Sequence, residues 1–247
     1  MKGNENIYDT IRNLFGDLNS NLQVLEDQID IDIQTEYYEY LKTHNLTINP
    51  EDVIKNKEDI FQNNISIEDK KCMLVKLASI NSVEAFRTIE RYLKEPNHSL
   101  RDWAKLAFQE SKLLLESKLL DENQVLISTG LGGKGLKLRY FTVVLSDTGE
   151  NFTKIQKKII NSELGYLFNK HSAEVEKVSF RKDICIILSV IPLNVPVRNI
   201  FDILIKECNQ FGDFLNKYYL ITNVKILTIN EIRKFINENF EHLGKIN

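Results

Sequence analysis

Cysteine is scarce in this chain of 247 residues, with three in all. Cys72, Cys185 and Cys208 are far apart, and the count is odd. An odd count without close pairs argues against a disulfide framework or a zinc knuckle. Cys72 and Cys185 sit in apolar patterns and read as small buried hydrophobes. Long apolar runs are missing too. The longest, "ICIILSVIPL" at residues 184–193, has half the length of a membrane-spanning helix and reads as a buried strand. The first residues, "MKGNENIYDT", have no apolar signal core, so the expectation is a cytoplasmic protein without a membrane segment.

Catalytic signatures are absent as well. There is no G-x-S-x-G elbow and no H-E-x-x-H. The four histidines, His44, His98, His171 and His242, lack metal-ligand spacing. Asp30 and Asp32 in "IDID" do not face each other on a helix. On these grounds the chain is expected not to be an enzyme, and no metal or cofactor is assigned. A net charge of −3 argues against a strong general attraction to nucleic acid. The charge is unevenly spread, however. Residues 1–120 carry 21 acidic and 15 basic side chains, whereas residues 121–247 carry 14 and 17. Two modules with different surfaces are implied.

Helix signals dominate to about residue 120. In "NLQVLEDQIDIDIQTEYYEYLK", residues 21–42, apolar side chains from Leu22 to Leu41 recur at intervals of three and four. Asn49 and Pro50 have the order of a cap and a first helical residue. Ser66 and Asp69, Asn81 and Glu84, and Ser99 and Asp102 repeat capping-box spacing before three apolar-periodic segments. Helices joined by such short links pack as antiparallel neighbours. In "LRDWAKLAF", Leu100, Arg101, Ala104, Ala107 and Phe108 follow the order of a HEAT-type first helix, after "VEAFRTIERYLKE" as a preceding second helix. Over residues 66–118 the chain resembles the HEAT/armadillo class of helical repeats. That resemblance implies an extended helical surface for binding protein.

The period then changes. "LKLRYFTVVLS", "AEVEKVSFRK", "DICIILSVIPL" and "YYLITNVKIL" read as strands. "NFTKIQKKIINSELGYLFNKH" and "VPVRNIFDILIKECNQFG" read as helices between them, and "INEIRKFINENF" as a closing helix. The order strand, helix, strand, strand, helix, strand looks like the ferredoxin-like arrangement. It implies a four-stranded antiparallel sheet with both helices on one face and the other face open. The expected fold is α+β: a helical, HEAT-like domain over residues 1–122 and a ferredoxin-like domain over residues 123–247.

Four glycines crowd "STGLGGKGLKLRYF", residues 128–141. Gly130, Gly132 and Gly135 match G-x-G-x-x-G, but a strand follows where a dinucleotide fingerprint needs a helix. No Lys-Ser or Lys-Thr completes a Walker loop, and the kinase triplets are missing. Two readings remain. The loop turns a corner between elements, with glycines at positive φ. Alternatively, Gly130, Gly132, Gly133, Lys134, Gly135, Lys137 and Arg139 form an anion nest with added positive charge. Lys177, Arg181 and Lys182 are candidate secondary contacts to phosphate. The sheet lacks the full aromatic set of an RNA-recognition motif, offering Tyr140 and Phe141 on one central strand and none on the other. The resulting expectation is an adaptor whose partner is another protein. An RNA- or ribosome-associated factor and a domain binding a small anion are the alternatives.

Overall fold

The structure, a computed structural model, describes residues 21–43, 48–95 and 98–239. The decapeptide at the amino terminus, His44, Pro96 and His242 lie outside them. Helices and an antiparallel sheet give the mixed α+β class. The chain divides between Ser128 and Thr129 into two compact units. Among the described residues, no helix is long and apolar enough to cross a membrane.

The helical unit opens with a strand. β1 (Leu22–Val24) pairs in parallel with β2 (Val125–Ile127), which is why the division falls beyond residues 122–123. Leu25 N–H also bonds Ile127 C=O at 2.9 Å. The helix expected over residues 21–42 therefore starts only at α1 (Ile31–Thr43). Local periodicity missed this because the partner strand lies far along the chain. Next come α2 (Pro50–Lys55), a 3-10 turn (Lys57–Phe61), α3 (Ile67–Ala78), α4 (Val83–Tyr92) and α5 (Arg101–Leu120).

The caps follow the sequence in part. Asn49 accepts from Glu51 N–H with Pro50 at the first helical position, and Ser66 accepts from Asp69 N–H. The cap of α4 is Ser82 rather than Asn81. Before α5 a 3-10 turn, His98–Leu100, takes the place of a Ser99 cap. Ala104 and Ala107 on α5 are fully buried, and their small side chains let α3 and α4 pack close. Trp103 fills the layer between, edge-on to Tyr37 with ring centroids 5.1 Å apart.

One polar link crosses this core. The Tyr37 hydroxyl donates to Glu110 Oε2 at 2.5 Å. Burial raises the Glu110 carboxyl above the usual carboxylate range, and the Tyr37 hydrogen bond opposes it only in part. A carboxyl with a raised folded pKa lowers stability as pH climbs from its ordinary value through the raised one. Glu110→Gln keeps an acceptor for Tyr37 and removes that charge. The variant should melt roughly a few degrees above wild type at pH 7. The gap should close toward pH 4 and below in a melting series over pH.

The second unit is built on one sheet. β3 (Gly133–Lys134), β4 (Lys137–Ser146), α6 (Lys154–Lys170), β5 (Glu174–Arg181), β6 (Ile184–Pro192), α7 (Val197–Asn209), β7 (Leu215–Thr222) and α8 (Ile229–Asn239) follow in order. The strands lie β5–β6–β4–β7, all antiparallel, and β3 pairs the start of β4 beyond the end of β7. The last strand is shorter than "YYLITNVKIL", because after Thr222 the chain turns, with Val224 N–H bonding Thr222 Oγ1 at 3.1 Å.

Strand alternation sends Val144, Cys185 and Ile187 to one face, where they pack with Phe168 of α6 and Phe201 and Leu204 of α7. Phe141, Val143, Leu145, Ile184 and Leu220 face the other way. That second face was expected to be open. It is covered by α8, whose Ile232 and Ile236 sit on it together with Leu131 from the glycine loop. Two devices hold α8. Thr228 and Glu231 form a capping box, Thr228 N–H to Glu231 Oε2 at 2.8 Å and Glu231 N–H to Thr228 Oγ1 at 3.3 Å. Arg233 grips the buried Asp183 through two bonds, Nη1 to Oδ2 at 2.7 Å and Nη2 to Oδ1.

Candidate functional site

The glycine stretch is a hairpin fitted against its own unit. Gly135 has φ +57° and is the first of two residues between Lys134 and Lys137, a position where such turns call for glycine. Gly132 has φ +66°. Gly130 has another reason. A Cβ there would lie 1.8 Å from the carbonyl oxygen of Val224. The loop's amides turn inward: Leu131 N–H bonds Asn223 C=O at 3.0 Å, and Gly132 N–H bonds Thr129 C=O at 3.1 Å. Its carbonyls are used too, since Gly132 C=O accepts from Arg139 N–H at 2.9 Å. An anion nest needs successive N–H groups converging on open space. Leu131 and Gly132 give theirs to carbonyls instead.

The loop's cations meet carboxylates. Lys134 and Lys137 both reach Glu174, at 2.6 and 2.7 Å. Arg139 clasps Glu176 through Nε at 2.7 Å and Nη2 at 2.8 Å, and its Nη1 donates to Leu131 C=O at 2.8 Å. Hydrogen bonds from Lys134 and then Lys137 bring the Glu174 carboxyl down to about 2. Glu174 and Glu176 were not among the residues singled out in the sequence. Their signal was there, as acids flanking Val175 at the start of a strand, but only sheet order says which basic residues they meet.

The register places the secondary basic residues on the same face as this cluster. Lys177 is opposite Leu188 and Arg181 opposite Ile184, while Arg139 is opposite Val190. Directly opposed residues share a face. Lys177, Ser179 and Arg181 thus line the α8 side of the sheet. Lys182 sits in the β5–β6 turn with φ +54°. None of Lys177, Arg181 and Lys182 makes an ion pair among the described residues. The aromatic pair considered for base stacking is not presented. Phe141 is 3% exposed beneath α8, and Tyr140 packs on the α6–α7 side.

Among the described residues, no cluster of His, Cys, Asp and Glu is arranged to hold a metal ion. Cys185 and Cys208 are buried, and burial pushes both thiols up to about 12, far from the thiolate a nucleophile needs. A different feature appears in the helical unit. A cleft of about 250 Å³ lies between α3 and the segment from α2 into the 3-10 turn. Val53, Met73 and Leu77 supply its apolar lining, with Asn49, Asp52, Asn56, Lys57 and Lys76 around them. Lys57 is bound to Glu84 at 2.7 Å. No spacing in the sequence announces this cleft, which arises from packing two separate segments.

No protein-family model matches the chain, and no curated protein matches it. Among solved structures, the chain is similar to a "putative transposase" from Deinococcus radiodurans R1, at 14% identity and a TM-score of 0.37. The likeness covers 43% of this chain and 93% of that one. The expectation that the chain is not an enzyme is corrected on this finding. The want of a sequence motif is by itself no ground for excluding catalysis. At this similarity no activity passes from that protein to this one.

Proposed function

We propose that this chain is a cytoplasmic protein-interaction module of the adaptor kind, with a HEAT-like helical unit and a ferredoxin-like second unit. Support for the helical half comes from α5, which packs against both α3 and α4 through Ala104 and Ala107. Support for the second comes from the strand order β5–β6–β4–β7 with α6 and α7 packed on one face. The observation that carries the reading is the cleft between α2 and α3. An apolar lining of Val53, Met73 and Leu77 inside a polar rim has the anatomy of a small recognition patch. Burial of Phe141 and the pairing of Lys134, Lys137 and Arg139 with Glu174 and Glu176 favour this over an RNA factor or an anion-binding domain.

The test is capture of partners from nuclease-treated native lysate. Wild type should retain a protein partner after nuclease. Lys76→Glu, a change at the cleft rim, should weaken capture at least tenfold while leaving the melting temperature unchanged. A partner lost on nuclease treatment, or one bound equally by Lys76→Glu, would turn the reading away from the cleft.

A further inference from the structure

The two long outer strands of the second unit's sheet, β5 and β7, are not equivalent. β7 spends edge donors on itself: Tyr218 N–H bonds Asn216 Oδ1 at 2.9 Å, and Val224 N–H just past the strand bonds Thr222 Oγ1. β5 does not. Among the described residues, no strand lies outside it, and no backbone hydrogen bond runs outward from it. The two-residue turn Lys182–Asp183 is closed by Arg181 and Ile184. In such a hairpin the closing pair is hydrogen-bonded, and bonded and non-bonded pairs then alternate. The alternation directs the N–H and C=O of Phe180 and Val178 away from β6, to the side where no described strand lies. Toward its start β5 is interrupted by an irregularity between Val175 and Lys177, so the usable edge is Val178–Arg181.

The chemistry along this edge differs by face. On the α6–α7 side stand Val178 and Phe180, both half-buried at the rim of the core. On the α8 side stand Lys177, Ser179 and Arg181, with Lys182 beside them in the turn. The acids at the start of β5 are already engaged, Glu174 by Lys134 and Lys137, Glu176 by Arg139. The cations at its end are not, and residues 129–247 carry 17 basic and 12 acidic side chains. An open edge with unanswered positive charge on one face calls for an extended, acidic strand.

We propose that β5 is a strand-addition site for an extended acidic segment of a partner protein. The added strand runs antiparallel to β5 and exchanges main-chain hydrogen bonds with Val178 and Phe180. Its residue opposite Ser179 is Asp or Glu. Diagonal neighbours across an antiparallel pair lie within about 8 Å, so one carboxylate there reaches both Lys177 and Arg181. Its flanking residues are apolar and extend the Val178–Phe180 rim. The recognised pattern is therefore apolar, acidic, apolar. A second copy of this chain does not fit, because β5 against β5 over Lys177–Arg181 brings cations together and like charges across a ladder repel. This inference rests on the protein-interaction reading, but uses a different surface from the cleft.

The experiment uses the full chain and three short synthetic peptides, read by fluorescence polarisation and amide hydrogen exchange. One alternates valine with glutamate, one valine with lysine, and the third is the glutamate peptide N-methylated on alternate residues. The glutamate peptide should bind and slow exchange at Val178 and Phe180. The lysine and N-methylated peptides should bind at least tenfold more weakly. Lys177→Glu with Arg181→Glu, both at exposed positions, should lose the glutamate peptide at least tenfold, more so at low salt, with an unchanged melting temperature. Failure of the glutamate peptide to bind, indifference to N-methylation or to the charge reversals, or protection confined to other elements would overturn the proposal. So would self-association through β5 in sedimentation, or binding of an oligouridylate in place of the peptide. Capture that survives the charge reversals but is lost in Lys76→Glu would overturn strand addition and leave the cleft reading standing. The converse result would do the opposite.

Discussion

Arg233→Met should destabilise the second unit by about 2–3 kcal/mol, just below the usual range for breaking a fully buried ion pair. Asp183 keeps only 3% of its surface in water and receives two bonds from the guanidinium. Methionine fills a similar volume but leaves that carboxylate buried without its cation. The discount from a fully buried pair reflects Arg233 itself, a quarter of whose side chain is exposed. Consequences should extend past stability. Arg233 ties α8 to the start of β6, and α8 covers Phe141, Val143, Leu145 and Leu220. Loosening it should expose that apolar face, raise binding of a hydrophobic dye and speed amide exchange through α8. Asp183→Asn should cost less, since a neutral amide tolerates burial better than an orphaned charge. An Arg233→Met protein as stable as wild type in urea would show that the capping box and the Ile232–Ile236 stripe hold α8 alone.

Gly130→Ala is the second large effect. The new methyl would sit 1.8 Å from Val224 O and 2.8 Å from Val224 C, both backbone atoms. No flexible side chain can yield, so the loop or the end of β7 must move. The bond from Leu131 N–H to Asn223 C=O joins the same two segments and would be strained with it. A cost of about 3 kcal/mol is expected, at the top of the usual range for overpacking. Gly135→Ala makes the comparison informative. Nothing lies within 4 Å of a Cβ there, but φ is +57°. Its cost should be the conformational one alone, about 1 kcal/mol. Thermal melts of both variants rank them. If Gly130→Ala were the milder, the close approach would not be what demands glycine there.

These two effects also mark the limit of reading the chain as letters. That Gly130 is special was visible from the crowding of glycines. Its reason, a carbonyl of Val224 close behind it, belongs to a segment much later in the sequence. The same holds for the charges. Lys134, Lys137 and Arg139 could be read as solvated charges or as a nest for an anion until β5, two strands over, brought Glu174 and Glu176 to them.

By itself the sequence determined what depends on near neighbours. Apolar periodicity behind capping residues marked α3, α4 and α5. Asn49 with Pro50 started α2, Ser66 started α3, β-branched and aromatic content marked β4, and alternation marked β5. The order of these elements, and the change of rhythm after residue 120, follow from the same local rules, because helix and strand periods are properties of a few consecutive residues. Tertiary structure alone decided the partners. It drew Leu22–Val24 out of an apparent helix to meet Val125–Ile127, and laid α8 over a sheet face that looked open. It also left β5 with no strand beyond it among the described residues. Each is a pairing of surfaces distant in sequence, chosen by which contacts bury most apolar area and satisfy most polar groups together, and no window along the chain contains both halves of such a choice.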